Sequence, residues 1–477
     1  MIIAISWKNI WRNKTRSLVV ITAVTLGTIA GVFVAGLMNG WVSQRIDASI
    51  YTEMGHLKIQ NPDYLVNEET RYSIPNIESV YDYLDNSPEV KAYTVRSKVM
   101  AMASTARGST GLMLKGINLK KDTAVSDVHT KLIPGSGSFF ESESRWPQVF
   151  ISNKTAEDLR LKMYMVKDET IDSLRTLGLP EELIAKLEPI KDKRFITKKK
   201  LEHSLEELWT AGEKATYGPD LIKTAAYFQQ RAKINFSFTR PDGEIGYQTF
   251  MVCGVFKTSN TLFDQMSAFV RNEDLYPVVG IGENEFHEVS IILHDDDFEH
   301  ISDYRSRTKA DLAKLSILTW KELAPDAGMM ADIMEVYYYI IMAIIFFALA
   351  FGIINTMLMA ILERVKELGM LMAIGMKKLQ VFTMIMLETI FLTLTGSVVG
   401  MLLGGLIINI TGKTGINFSS VEEGFEAVGW AAIVYPDIEI SFFFGVTVMV
   451  IIVAILSSII PARKALKFKP IEALRTE

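Results

Sequence analysis

The chain has 477 residues, of which 49% are hydrophobic and 22% charged, and its formal net charge is −5 at pH 7. Its mean hydropathy of +0.20 excludes both a bundle made only of membrane helices and an ordinary soluble enzyme. Because Cys253 is the only cysteine, an intramolecular disulfide is also excluded. The chain therefore combines membrane segments with a water-exposed part that is long enough for one large or two small domains.

Four hydrophobic segments in a one-plus-three arrangement dominate the chain. They cover residues 18–41, 336–361, 381–410 and 440–460, and each exceeds the roughly 20 residues that a helix needs to cross a bilayer. The first segment is longer than the apolar core of a signal peptide and no small-residue cleavage site follows it, so we interpret it as an uncleaved anchor. The predicted fold is an α-helical base of four transmembrane helices, with a large α+β extracytoplasmic domain inserted between the first and second helices.

Lysine and arginine in the short flanks predict the orientation of these helices. Basic residues outnumber acidic ones in the N-terminal segment 1–17, in the loop 362–380 and in the tail 461–477. The loop 411–439 is instead acidic. We therefore predict that both termini and the 362–380 loop are cytoplasmic, and that the large domain 42–335 and the 411–439 loop lie on the other side.

The predicted extracytoplasmic domain mixes strand and helix patterns. Strand-like stretches occur at 55–60, 92–102, 109–117, 232–239, 245–256 and 288–293. Pro241, Asp242 and Gly243 predict a tight hairpin turn between two of them. The segment 164–231 is typical of helices inserted between strand-rich halves. Residues 302–314 and 321–334 also predict helices, and we expect the second to continue into the second membrane segment.

Two stretches of the sequence resemble a phosphate-binding loop and a metal site, but ordinary secondary structure explains them better. The stretch Thr411 to Thr414 reads TGKT but lacks the earlier glycine of a phosphate-binding loop, because Ile407 stands at that position. The cluster from His294 to His300 holds two histidines and four carboxylates, which zinc or manganese could bind. A strand end followed by a capped helix start explains it more simply. We predict no catalytic, cofactor-binding or metal site in this chain.

Small residues recur at every fourth position along two membrane segments. They are Ala23, Gly27, Gly31 and Ala35 in the first segment and Gly396, Gly400 and Gly404 in the third. Such stripes allow helix backbones to approach closely, either within one chain or across a dimer seam, and the spacing leaves both alternatives open. Glu388 is an intramembrane carboxylate of the third segment, which we expect to be solvated near the cytoplasmic face and to have a structural role.

The 362–380 loop is the strongest functional candidate. Residues 362–375 have the pattern of a short amphipathic helix that Gly369 and Gly375 are expected to break. The apolar run that includes Met370 and Met372 offers an adaptable surface that a solvated loop does not need. Docking in a groove of a partner protein and immersion in the lipid interface both explain this surface.

With these residues in view, the chain resembles the FtsX-like ABC-transporter permeases, the type VII or mechanotransmission group that includes MacB, LolC and LolE. The cytoplasmic coupling motif of the family is matched by Arg364, Glu367, Leu368, Gly369, Leu371, Ala373, Ile374, Gly375 and Met376, and its C-terminal signature by Pro461, Ala462, Ala465, Pro470, Ala473, Leu474 and Arg475. Residues 7–16 and 55–59 are most similar to the LolC/LolE branch, whereas 164–231 departs from it.

The resemblance implies that two permease chains, identical or paralogous, pair in a bacterial cytoplasmic (inner) membrane. Each would bind a separate cytoplasmic ABC ATPase through residues 362–376, and that ATPase, not this chain, would bind ATP and Mg²⁺ and be the enzyme.

The first expectation for function is ATP-driven extraction of lipoproteins or lipid-like cargo, in a cavity bounded by the first two membrane segments and the base of the large domain. The alternatives are MacB-like export of periplasmic molecules and FtsX-like regulation of a cell-wall hydrolase, with 164–231 as the surface for a periplasmic partner. Nucleic acid is not expected as a partner.

Overall fold

The computed structural model describes residues 2–12, 14–141, 144–421, 424–425 and 429–466. The chain divides into two compact units, each with its own hydrophobic core. The membrane unit comprises Met1–Arg45, Met329–Glu422 and Ala431–Glu477, and the inserted unit comprises Ile46–Gly328 and Glu423–Trp430.

Among the described residues, four helices are long and apolar enough to cross a membrane. They are Lys14–Asp47, Pro325–Glu363, Lys378–Thr414 and Ile440–Ala465, here called the first to fourth long helices. Each contains one of the four predicted segments and extends beyond it. Together with an inserted unit of strands and helices, they confirm the predicted fold class.

Shorter elements connect the long helices of the membrane unit. The helix Ile2–Arg12 precedes the first long helix, and the helix Val365–Ala373 lies between the second and third. Between the third and fourth, the strands Ile416–Asn417 and Ile433–Val434 pair antiparallel. The sequence patterns missed the N-terminal helix and this ribbon. The TGKT stretch forms the last turn of the third long helix, so it is not a loop.

The inserted unit is built on a mixed sheet. Its strands are β1 (Leu57–Gln60), β2 (Val90–Ser104), β3 (Ser109–Ile117), β4 (Gln148–Ser152), β5 (Lys162–Tyr164), β6 (Ala226–Phe228), β7 (Lys233–Thr239), β8 (Ile245–Phe256), β9 (Ser267–Arg271), β10 (Glu288–Leu293) and β11 (Ser316–Thr319). Nine of them follow the order β11-β1-β10-β2-β3-β9-β4-β8-β7, and β5 pairs with β6 separately. Because β2 also pairs with β7, the strands from β2 to β7 in this order close into a six-stranded barrel.

Helices cover and connect the strands of the inserted unit. A π-helical turn, Ala48–Met54, follows the first long helix. The α-helices are Pro62–Asn67, Ile77–Asp85, Leu119–Val125, Asn153–Asp158, Asp168–Thr176, Glu181–Ala185, Lys198–Glu206, Ala211–Ala225, Thr261–Met266, Asn272–Val279, Phe298–Asp311 and Trp320–Leu323. The four between Asp168 and Ala225 enclose a separate apolar cluster around Leu174, Trp209 and Leu221.

Most predicted strands of the inserted unit form, and two predicted helices need correction. The β7–β8 hairpin turns at Gly243, whose φ of +85° is one that favours glycine. The helices predicted within 164–231 end at Ala225, because Ala226–Phe228 pairs as strand β6. The helix predicted for 321–334 is interrupted at Ala324, which precedes Pro325 and is extended there (φ −123°). Proline disfavours helical geometry in the residue before it but suits the first turn of the next helix.

The glycine stripe of the third long helix packs against the first long helix of the same chain. A Cβ atom added at Gly396 would lie 2.8 Å from the backbone oxygen of Ile21, and one added at Gly400 would lie 2.9 Å from that of Thr25. The Thr25 hydroxyl donates a hydrogen bond to the carbonyl oxygen of Gly396 at 2.9 Å. A Cβ added at Gly404 would lie 3.1 Å from the Val32 side chain. At Gly396 and Gly400 the third long helix therefore lies directly against the backbone oxygens of the first, beside the Val24 and Thr28 side chains.

Two of the small residues in the stripe of the first long helix face the second long helix. Gly27 and Gly31 contact the second long helix, since added Cβ atoms would lie 2.5 Å from the Leu349 side chain and 3.2 Å from the Met342 sulfur. Ala35 is buried, whereas Ala23 is exposed. This stripe is therefore part of the packing between the first and second long helices.

Replacement of Gly400 by alanine tests the backbone contact. The new methyl group would overlap the backbone of the first long helix, so we expect Gly400→Ala to lower the free energy of unfolding by about 1–3 kcal/mol. Gly445→Ala on the fourth long helix is the matched control, because nothing lies within 4 Å of its added Cβ. The measurement is the thermal unfolding midpoint in mild detergent. Equal midpoints for the two variants would contradict the contact.

Candidate coupling site

Six of the nine predicted coupling residues divide into an inward and an outward group, and Arg364, Glu367 and Met376 are half-buried. Leu368 and Gly369 are buried in the core of the membrane unit. Leu371, Ala373, Ile374 and Gly375 are exposed, and the Ile374 side chain retains 79% of its accessible surface. The outward group therefore forms an apolar surface, here called the coupling surface, at the end of the short helix Val365–Ala373.

Only one of the two glycines expected to break this helix does so. Gly369 lies inside the helix, where a single glycine costs about 1 kcal/mol relative to alanine. Gly375 has a φ of +106° and stands just after the helix, where the chain turns toward the third long helix. The expected break at Gly369 is therefore wrong, because burial of Leu368 and its neighbours keeps the helix intact through that position.

Arg364 connects the short helix to the third long helix through a charged pair. Its Nη1 atom lies 3.1 Å from Oε1 and 3.4 Å from Oε2 of Glu388. The two side chains retain only 14% and 11% of their accessible surface. The expectation that Glu388 is solvated is therefore wrong: its carboxylate is nearly buried and compensated by Arg364. Burial of one charge without the other would be costly, so the pair fixes how the two helices meet.

The same arginine is the centre of a longer chain of charges. The Arg364 Nε atom donates to Glu367 at 2.9 Å, and Glu367 also pairs with Arg12 of the N-terminal helix. Burial opposes ionisation of Glu367, but the hydrogen bonds and charges of Arg364 and Arg12 outweigh it and hold the pKa of Glu367 below its ordinary value. Cations and carboxylates thus alternate from Glu388 to Arg12.

The N-terminal helix packs on the third long helix beside this charge chain. The Ser6 hydroxyl donates to the Met384 carbonyl oxygen at 3.2 Å, and the Trp7 ring meets the Phe391 ring edge-on at 5.6 Å. Ile10 is buried, whereas Trp7 and Trp11 remain largely exposed. Exposed tryptophans on a helix of this kind are typical of the boundary between lipid and water. Sequence patterns missed this arrangement because no fixed spacing relates Arg12, Arg364 and Glu388.

The described part of the C-terminal signature lies in the same core. Pro461 is inside the fourth long helix, and Ala462 and Ala465 are fully buried in the cluster that contains Leu368, Met384 and Val381. Small side chains at these two positions permit close packing of the fourth long helix. Pro470, Ala473, Leu474 and Arg475 lie outside the described residues.

A groove opens between the first and second long helices. Its volume is about 280 Å³, and apart from Thr356 its lining is apolar. It is bordered by Val20, Ala23, Val24, Gly27, Ile345, Ala348, Leu349, Gly352, Ile353 and Thr356. Such a lining fits a hydrocarbon chain better than a polar solute.

The remaining candidates hold no recognisable chemistry in the described part of the chain. Within it, no three His, Cys, Asp or Glu side chains are grouped so that they could hold a metal ion. Asp297 caps the helix Phe298–Asp311, and His300 pairs with Asp295 at 2.8 Å. Cys253 is buried, which raises the pKa of its thiol to about 11.

Residues 339–470 match the family profile "FtsX-like permease C-terminal". This range includes the coupling surface, Arg364, Glu367 and Glu388. It covers most of the membrane unit after the first long helix and does not include residues 46–328 of the inserted unit.

Related proteins agree with this match. The chain is 29% identical over 239 residues to the uncharacterized ABC transporter permease MJ1507 of Methanocaldococcus jannaschii, an alignment that covers 48% of this chain and 55% of that protein. It is 26% identical over 265 residues to the uncharacterized ABC transporter permease YknZ of Bacillus subtilis, with 52% and 60% covered. The macrolide export ATP-binding/permease protein MacB of Chlorobaculum tepidum is 31% identical over 128 residues, with 26% and 17% covered.

Two solved structures show weaker similarity. The extracellular domain of the noncanonic ABC-type transporter YknZ gives a TM-score of 0.28 at 14% identity, covering 55% of this chain and 98% of that domain. The periplasmic region of MacB from Actinobacillus actinomycetemcomitans gives 0.29 at 9% identity, covering 58% and 94%. These scores are too low to support an argument about the inserted unit.

Residues 339–470 thus match the FtsX-like permease profile, and the chain is similar to ABC transporter permeases. It spans little more than half the length of the first two relatives. Closer kinship with LolC and LolE, and the orientation of the termini, stay predictions.

Replacement of Arg364 tests the charged pair. Arg364→Met would leave the nearly buried Glu388 without this cation, so we expect a loss of about 3–5 kcal/mol in the free energy of unfolding. The double variant Arg364→Met with Glu388→Met should recover most of that loss, because neither charge remains. Lys366→Met, at an exposed position of the same helix, should change stability by less than about 0.5 kcal/mol.

The stability of the wild type and of the three variants is compared by thermal unfolding in mild detergent. A double variant no more stable than Arg364→Met would show that the pair is not the reason for the loss.

Proposed function

We propose that this chain is the permease subunit of an ATP-driven ABC complex in a bacterial cytoplasmic membrane. The coupling surface would receive the motion of a separate cytoplasmic ATPase, and a second permease chain would complete the complex. The observation that carries the proposal is the exposed coupling surface within an FtsX-like permease domain. Ile374 and Leu371 leave apolar surface uncovered in the chain, and a groove on a partner would cover it.

The charge chain suggests how a movement of the partner would reach the membrane. Force on the coupling surface acts on the short helix, which Arg364 ties to Glu388 of the third long helix. Separation of the pair would leave a nearly buried charge without its counter-charge, so the two helices are expected to move together. The third long helix in turn touches the first through Gly396 and Gly400.

The groove between the first and second long helices favours a cargo with an apolar chain. Extraction of a hydrocarbon chain from lipid costs about 0.8 kcal/mol per CH₂ group, which an ATP-driven device could supply. A groove with an apolar lining would lower that cost during transfer. We therefore propose release of lipoproteins or lipid-like cargo as the first candidate.

The second candidate is export of a molecule from the far side of the membrane. It is favoured by the similarity to proteins named macrolide export ATP-binding/permease protein MacB. Regulation of a cell-wall hydrolase through the segment 164–231 has no comparable support.

Substitution within the coupling surface tests the ATPase partnership. Because Ile374 is 79% exposed, Ile374→Glu should not disturb the fold but should place a charge in the apolar contact. We expect an ABC ATPase, identified by mass spectrometry and by ATP hydrolysis in the sample, to co-purify with the wild-type chain and not with this variant. Val66→Glu in the inserted unit is the control, since Val66 is equally exposed (81%). Absence of any ATPase with the folded wild-type chain would refute the proposal.

Filling the groove tests the cargo. Nothing lies within 4 Å of a Cβ added at Gly352, so Gly352→Leu should occupy the groove without strain. We expect about tenfold slower ATP-dependent release of a lipidated protein from proteoliposomes that contain the complex, equivalent to losing contact with about two CH₂ groups. Gly445→Leu, at an equally open position of the fourth long helix, should leave release unchanged. If Gly352→Leu does not slow release, the groove is not the path of the cargo.

A further inference from the structure

A group of basic side chains lies on one face of the sheet in the inserted unit. Lys58 of β1 stands opposite Ser290 of β10, and Arg96 of β2 stands opposite Glu288 of β10. Lys98 of β2 is directly opposite Lys115 of β3. Directly opposed residues of antiparallel strands project on the same side, so these side chains share one surface.

The cluster is not balanced in charge. Glu288 accepts from Lys58 at 3.2 Å and from Lys98 at 3.1 Å, and its other oxygen lies 3.3 Å from Arg96. Asp122 pairs with Arg96 at 2.7 Å. Within the described residues, the cluster therefore contains four cations, Lys58, Arg96, Lys98 and Lys115, and two carboxylates. Fully ionised, it carries an excess of two positive charges.

Water provides little compensation for this excess. The side chains of Lys58 and Lys98 retain 11% and 15% of their accessible surface, and those of Arg96 and Glu288 retain 2% or less. A charge so far from bulk water that lacks a counter-charge costs several kcal/mol. Opposed lysines on neighbouring strands add repulsion.

Lys115 shows this imbalance most clearly. Within the described part of the chain, the Lys115 ammonium group donates a hydrogen bond to the Ser267 hydroxyl at 3.0 Å. The same group lies over the Phe263 and Phe269 rings. Burial and the repulsion of Lys98 lower the pKa of Lys115 to about 7. Near neutral pH this lysine is therefore poised between a neutral form and a charged form that lacks a carboxylate partner.

Two buried hydroxyl groups near the cluster make no hydrogen bond with any of the described residues. Thr94 stands opposite Ser290 on the same face, and its buried Oγ1 atom makes no hydrogen bond. The buried Tyr64 hydroxyl makes none either, and the Tyr64 ring lies 5.6 Å from the Lys98 ammonium. Thr94 is four residues from Lys98 along β2, about 13 Å away, whereas the Tyr64 ring lies beside Lys98. Buried polar groups in proteins are normally satisfied, so the Tyr64 hydroxyl indicates a missing acceptor near Lys98.

We propose that this cluster binds a doubly charged tetrahedral oxyanion, that is, a phosphate or sulfate group, held between the ammonium groups of Lys98 and Lys115 with Lys58 adding to the field. Two negative charges match the excess of the cluster, and oxygen acceptors match its free donors. The proposal does not depend on the proposed transport function, because every residue involved belongs to the inserted unit.

Sulfate is the appropriate first probe because it keeps two charges between pH 6 and 8.5. Titration calorimetry of the full chain in uncharged detergent, at constant ionic strength in chloride, should show sulfate binding that Lys115→Met or Lys98→Met weakens at least about tenfold, as expected for loss of one charged hydrogen bond. Lys120→Met at an exposed position should bind like wild type. The affinity of wild type should also fall more than about tenfold from pH 6 to pH 8.5, because Lys115 loses its proton in that range.

The stability of the variants gives a second, independent readout. In chloride alone, Lys115→Met should unfold at a higher temperature than wild type, since it removes part of the excess charge. With sulfate present, wild type should gain stability and the variant should not. Equal stabilisation of both proteins by sulfate, or no effect beyond ionic strength, would overturn the proposal.

The source of the anion can be distinguished in the same assay. Inorganic phosphate and dioctanoyl phosphatidic acid would each be competed against sulfate. Binding of the lipid at least about tenfold tighter than inorganic phosphate would identify a lipid head group, whereas equal binding would identify a free anion.

Discussion

The pairing of Arg364 with Glu388 is the interaction on which the proposed coupling depends. A carboxylate in a membrane-crossing helix is costly, and this one is compensated by a guanidinium that belongs to a different helix. A shift of the short helix along the third long helix would therefore leave one of the two charges buried without its partner. A buried pair of this kind is weak evidence for stability, but it is a strong constraint on position, and position is what a coupling element has to transmit.

The contact between the third and first long helices extends that constraint. Gly396 and Gly400 bring the backbone of the third long helix against the first, where it meets backbone oxygens and the β-branched side chains of Val24 and Thr28. Because β-branched side chains are stiff, the contact absorbs little displacement. The Thr25 hydrogen bond to the Gly396 carbonyl oxygen fixes the same contact along the helix axis. Gly27 and Gly31 then place the first long helix against the second. Close packing of small residues thus relates the coupling surface to the helices that border the groove.

Sequence patterns predicted some of these elements and missed others, for physical reasons. Apolar length predicted the four long helices, and alternating patterns with a Pro-Asp-Gly turn predicted the β7–β8 hairpin, because both depend on local chemistry. Strands β4 and β9 were missed, since they are buried on both faces and lack alternation. The partner of Arg364 was missed because 24 residues and a change of helix separate it from Glu388. Such long-range pairs are created by packing and leave no spacing in the sequence.

The two charged clusters of this chain differ in charge balance. This difference distinguishes a cluster with a structural role from a proposed binding site. From Arg12 to Glu388, cations and carboxylates alternate in equal number, so each buried charge has its counter-charge within the fold. Around Glu288, the lysines that surround one carboxylate exceed what it can neutralise. Arg364 and Glu388 are about as buried as Lys58 and Lys98 of the second cluster, so burial alone does not indicate a site. A balanced cluster holds helices in place, whereas an unbalanced one remains costly until an anion from outside the chain completes it.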